Sequence, residues 1–204
     1  MKTNFKKTAS KFSFGFTLVE LITVISIITI SAGTIFISYR QAGQQFALQR
    51  AANKLAQDIR KAQEMAMSAK EFYGEFPKGG YGIRFDLDYP GLYRLFADCN
   101  NNYDFDDQII ATSCANAGQT GDPYPEGVGD SIYFEGGVKI SDFSPESGVN
   151  GPLTITFTPP DPVVRINGQD ISQGPPPAVI TLETPDGTKT KTVTVNLVGL
   201  IEVD

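Results

Sequence analysis

The chain has 204 residues, 41% hydrophobic and 20% charged, with two Cys and no His or Trp. That length and apolar content support one domain plus an appendage. Without His, the Ser-His-Asp and Cys-His arrangements and every His-containing zinc site are excluded, and two Cys are too few for a four-Cys site. Residues 1–71 carry ten Lys and Arg against four Asp and Glu, whereas residues 72–204 carry seven against nineteen, a net charge of −12. The acidic part lacks the counterion-release drive for nucleic-acid binding.

Residues 1–15 contain Lys2, Lys6, Lys7 and Lys11 and no acid, and Phe16–Tyr39 then reads FTLVELITVISIITISAGTIFISY with Glu20 as its single ionised group. A helix of that length reaches roughly 36 Å, enough for a bilayer core of about 30 Å. The expectation is a transmembrane segment with its N-terminus in the cytoplasm. A secretory signal peptide fits less well, because the apolar run is long and no small-residue cleavage site closes it. A plain signal anchor leaves Glu20 unexplained, since a carboxylate in a span costs roughly 2.5–3.5 kcal/mol and demands a partner.

Gly15-Phe16-Thr17-Leu18-Val19-Glu20-Leu21-Ile22, behind a basic leader and ahead of an unbroken apolar run, resembles the class III signal of type IV pilins and type II secretion pseudopilins. The resemblance implies that a prepilin peptidase removes residues 1–15 by cutting between Gly15 and Phe16, and that Phe16 is then N-methylated. It also implies assembly through the N-terminal helix, with Glu20 facing the Phe16 amino group of a neighbouring subunit. Many major pilins carry a helix-kinking Pro in this region. Here Ile37 and Ser38 stand there and no Pro precedes Pro77, which leaves Gly33 and Gly43 as soft points.

Leu48, Ala52, Leu55, Ile59, Ala62, Ala66 and Ala69 recur at helical spacing, with Gln49, Arg50, Asn53, Lys54, Gln57, Asp58, Arg60 and Lys61 between them. This amphipathic stretch, 40–71, continues the helix to about Lys70. Its apolar stripe is expected to pack on the sheet of its own domain, with a coiled-coil partner as the alternative. Gly74 and Pro77 end the pattern.

From residue 72 the chain reads as a globular β-rich domain, 72–204. Candidate strands are Tyr81–Asp86, Gly91–Ala97, Gln108–Thr112, Ser131–Phe134, Val138–Ser141, Leu153–Thr158, Val163–Ile166, Ala178–Glu183 and Lys191–Val203. Thr184-Pro185-Asp186-Gly187 reads as a hairpin turn, Pro159–Pro162 and Gly174–Pro177 as surface loops, and Gly79-Gly80 and Gly136-Gly137 as turns rather than phosphate loops. The expected fold is α+β and pilin-like, a long N-terminal helix (transmembrane half plus amphipathic half) packed on an antiparallel β-sheet domain. Residues 49–63, Tyr81-Gly82-Ile83, Phe96-Ala97-Asp98 with the Asn/Asp cluster after it, and the ending Val198–Val203 are similar to the GspH/FimT group of minor pseudopilins.

Asp98, Asn100, Asn102, Asp104 and Asp106 place oxygens at alternate positions, as in a calcium loop, but Tyr103 stands where such a loop has Gly and Ile109 where it has a bidentate Glu. The readings are a Ca2+ site and an Asx-rich turn. Cys99 and Cys114 bracket the loop at a separation of 15 and are expected to form a disulfide outside the cytoplasm.

The expected function is structural, not enzymatic: a subunit, minor rather than major, of a type IV pilus or type II secretion pseudopilus. It would be anchored in the inner membrane by a single pass with its C-terminal domain extracytoplasmic. Its expected partners are other pilin subunits, the prepilin peptidase and methyltransferase, and an inner-membrane assembly platform. The alternatives are a DNA-binding competence subunit, which −12 in the domain argues against, and a membrane-anchored extracytoplasmic domain of other activity.

Overall fold

A computed structural model describes residues 15–106, 114, 126–147, 151–159 and 163–204, with the backbone alone at 34–41. The leader 1–14 and the expected strand Gln108–Thr112 lie outside the described residues, as do residues 160–162 of the Pro159–Pro162 loop. The chain divides into two compact units, one ending at Ala42 and one spanning Gly43–Asp204. The helix α1 (Leu18–Met67) contributes its first part to one and its second part to the other.

The second unit is mostly β. Strands β1 (Gly80–Phe85), β2 (Leu92–Asp98), β3 (Ile132–Tyr133), β5 (Leu153–Thr158) and β6 (Val163–Ile166) form an antiparallel sheet in the order β3-β2-β1-β5-β6. Strands β4 (Lys139–Ser144), β7 (Ala178–Glu183), β8 (Thr190–Val195) and β9 (Ile201–Val203) form a second antiparallel sheet in the order β4-β7-β8-β9.

Period-two alternation fixes which face of each sheet is dry. Tyr81, Ile83 and Phe85 of β1 share a core with Tyr93 and Leu95 of β2 and with Leu153, Ile155 and Phe157 of β5. Ile180 and Leu182 of β7 and Val193 and Val195 of β8 enter the same core from the four-stranded sheet. In β4 a bulge between Ile140 and Asp142 shifts the register, so that Ile140 and Phe143 both point inward although three residues apart. The helical stripe Leu48, Ala52, Leu55, Ile59, Ala62 and Ala66 is buried in that core, joined by Ala47, Ala51, Ala56 and Met65. The many alanines let the helix lie close to strands that carry large aromatic side chains.

The expected fold class is corrected. The β structure is two antiparallel sheets rather than one, and no helix among the described residues is long and apolar enough to cross a membrane. The transmembrane half expected for that helix therefore does not stand.

Several boundaries differ from expectation by a residue or more, two of them for a visible local reason. The helix stops at Met67, before Gly74 and Pro77, because Ala69 turns left-handed (φ 45°). The Ala69 amide then donates to the Ala66 carbonyl (3.1 Å) and the Lys70 amide to the Met65 carbonyl (3.0 Å), which satisfies the last carbonyls. Ala69, expected in the apolar stripe, is thus exposed beyond the helix. The expected strand Lys191–Val203 is two strands, β8 and β9, folded back at Asn196–Leu200. The Asn196 side-chain oxygen accepts the amides of Val198 (3.1 Å) and Leu200 (2.9 Å), so one Asn supplies the turn.

Candidate assembly segment and stapled loop

Gly15 and Phe16 precede α1 and are exposed, Phe16 at 76%. Thr17 caps the helix: its hydroxyl oxygen accepts the Glu20 amide (3.2 Å) and its carbonyl accepts the Leu21 amide (3.2 Å). Thr17-Leu18-Val19-Glu20 has the spacing of a capping box, and the Glu20 carboxylate stands in the first turn, where the helix dipole favours it. That pattern was readable in the sequence and gives Glu20 a local role beside the intersubunit role implied by the resemblance.

Every side of this part of the helix is apolar. Leu18, Val19, Leu21, Ile22, Val24, Ile25, Ile27, Ile28 and Ile30 are all exposed. The interspersed hydroxyls do not need water: Thr23 donates to the Glu20 carbonyl, Ser26 to that of Ile22 and Thr29 to that of Ile25, each at 2.8 Å. Among these described groups only the Glu20 carboxylate resists burial.

The five oxygen-bearing residues singled out in the acidic stretch share one loop directly after β2. Asp98 is fully buried at the strand end and organises it: one carboxylate oxygen accepts the amides of Asn101 (2.6 Å) and Asn102 (3.2 Å), and the other that of Tyr103 (2.8 Å). Asn100 accepts the Asn102 amide (3.0 Å) and Asn102 that of Asp104 (2.9 Å), while the amide groups of Asn100 and Asn102 both donate to Asp106. Asp104 is held by Arg84 of β1 at 2.8 Å. Among the described residues no group of three or more His, Cys, Asp or Glu is placed to hold a metal ion.

The structure joins Cys99 to Cys114, with Cα atoms 5.2 Å apart, and Phe72 packs on the pair. Sequence reasoning missed Glu126, the residue that closes the loop. It is fully buried, and its two oxygens accept the amides of Cys99 (3.0 Å) and Asp106 (2.9 Å), so one carboxylate ties the two ends together. Burial pushes its pKa up to about 7; the two amides pull it down, and the nearby Asp106 and Asp98 push it up. Burial likewise raises Asp98, against the three amides that favour its charge.

The loop covers the outer face of the five-stranded sheet, and three successive residues engage three arginines. Tyr103 lies under the Arg165 guanidinium (4.5 Å to the ring centre), Asp104 pairs with Arg84, and Phe105 lies under Arg94 (5.6 Å). Arg84 and Arg94 face each other across β1 and β2, and Arg165 sits opposite Thr156 across β5 and β6. No single stretch of sequence contains this arrangement, because the strand register creates it.

Gly79-Gly80 makes the close approach possible. A Cβ at Gly79 would land on the Asp98 carboxylate, and one at Gly80 (φ 87°) on the Phe157 carbonyl. Comparison with protein families, curated proteins and solved structures finds no match for the chain.

Proposed function

We propose that the chain is a structural subunit of a type IV pilus or type II secretion pseudopilus, processed between Gly15 and Phe16 and assembled through the apolar N-terminal part of α1. The observation that carries this reading is a helix surface, Leu18–Ile30, that is apolar on every side, with hydroxyls already bonded to its own carbonyls and one carboxylate near its start. Such a surface is stable only when covered. Packing against copies of itself covers it and offers Glu20 a cationic partner, the freed Phe16 amino group of a neighbour.

An uncut chain has no such amine at Phe16, so processing and assembly are coupled through one charge pair. The exposed Gly15–Phe16 bond suits a peptidase. The Cys99–Cys114 disulfide supports placement of the Gly43–Asp204 unit outside the cytoplasm. The partners in this reading are other subunits of pilin type, the prepilin peptidase and methyltransferase, and an assembly platform.

N-terminal analysis of protein isolated from cells tests the proposal. The expected first residue is N-methylated Phe16. Protein that begins at Met1, or downstream of Ile30, overturns it.

A further inference from the structure

The turn after β6 is built from Asn167 and Gly168, both with left-handed backbone (φ 50° and 76°), the form an Asn-Gly pair takes in a two-residue turn. It is closed by the Ile166 amide on the Gln169 carbonyl (2.9 Å) and the Gln169 amide on the Ile166 carbonyl (3.0 Å). The Arg165–Asp170 ion pair (2.8 Å) spans it. A Cβ on Gly168 would stand 3.7 Å from that of Tyr103, so the loop after β2 lies against the turn.

The Asn167 side chain is held at both ends. Its oxygen accepts the Thr154 amide (2.9 Å), and its nitrogen donates to the Pro145 carbonyl (2.9 Å). The Asn167 backbone amide also donates to the Thr154 carbonyl (2.9 Å). One residue thus carries the β5–β6 ladder past Ile166 and fastens it to the chain just after β4.

An Asn followed by Gly cyclises readily, because the next residue has no Cβ to hinder attack. The Gly168 nitrogen loses its proton and bonds to Asn167 Cγ, the Cγ–Nδ2 bond breaks, and ammonia leaves. Water then opens the succinimide at either carbonyl, leaving aspartate or isoaspartate at 167. Both side-chain hydrogen bonds must break before Cγ can swing toward the Gly168 nitrogen.

We propose that Asn167 is a latent deamidation site, protected while its turn is docked and converted irreversibly when the turn opens. The product does not fit the place it left. A carboxylate has no hydrogen to give, so an oxygen faces the Pro145 carbonyl where a donor stood. Isoaspartate also adds a backbone carbon to a two-residue turn. A chain that has opened here is therefore marked, and its turn does not close as before. This site is independent of the assembly reading.

The test is peptide mapping of the full chain in neutral detergent at mildly alkaline pH, with and without urea. Mapping separates Asn167 from Asn150, which also precedes a Gly. The expected result is conversion at 167 in urea and conversion at least about tenfold slower without it, since cyclisation waits for local opening. Equal rates, or no conversion in urea, overturn the proposal. Asn167→Asp supplies the product directly and is expected to lower Tm by about 5 °C, through a lost hydrogen bond and a carboxylate against a carbonyl. An unchanged Tm would show that the turn accepts the product, and overturns the proposal as well; an Asn167→Asp chain too unstable to fold supports it.

Discussion

The buried Tyr93 hydroxyl donates to the Asp58 carboxylate at 2.5 Å, tying β2 to α1, and Lys54 reaches the same oxygen at 3.2 Å. Burial, together with the neighbouring Asp58, holds the Tyr93 phenol protonated far above its usual range. Tyr93→Phe is expected to lower unfolding stability by about 2 kcal/mol, the scale of a hydrogen bond to a charged group. Asp58→Ala is expected to cost at least as much, because it strands the hydroxyl inside the core. Urea unfolding of both variants checks this; a Tyr93→Phe variant as stable as wild type would refute it.

Gly79 is predicted to be intolerant of any side chain. Gly79→Ala puts a methyl on the Asp98 carboxylate that orders the loop. A loss of more than about 2 kcal/mol is expected, since either the strand or the buried carboxylate must move. Thermal unfolding is the measurement, and a change of Tm within error is the contrary outcome.

The buried carboxyl of Glu126 makes stability pH-dependent in an unusual direction. Its pKa is raised in the folded state to about 7 from an ordinary 4.5. Below the unfolded value both states hold the proton and stability is fully present. As pH rises toward the folded value the unfolded chain ionises first, so stability falls, by on the order of 3 kcal/mol once pH exceeds about 7. Asp98, also raised, acts in the same direction. Denaturant midpoints from pH 5 to pH 8 should decline in the wild type and decline less in Glu126→Gln. A flat wild-type profile contradicts the prediction.

Ala69 ends the helix in a conformation that glycine adopts without strain. Ala69→Gly is therefore expected to stabilise the protein by about 0.5–1 kcal/mol, the left-handed penalty less the extra freedom gained by the unfolded chain. A rise in Tm with an unchanged denaturant slope is the signature; a fall in Tm would show that the turn is held by something other than its backbone.

The sequence by itself placed the apolar run behind a basic leader, the stripe Leu48–Ala66, the strand Leu153–Thr158 and the turn at Thr184–Gly187, because periodicity and turn chemistry are local properties. It also held the Thr17–Glu20 cap, a spacing as readable as the rest. What tertiary structure alone decided was how the strands of the described residues divide into two sheets, the break at Asn196, and the pairing of Tyr103, Asp104 and Phe105 with Arg165, Arg84 and Arg94. Glu126 belongs to that second group. A lone Glu in a polar stretch reads as solvated, and only long-range packing, which brings residues 99, 106 and 126 together in a dry place, turns it into the tie that closes the loop.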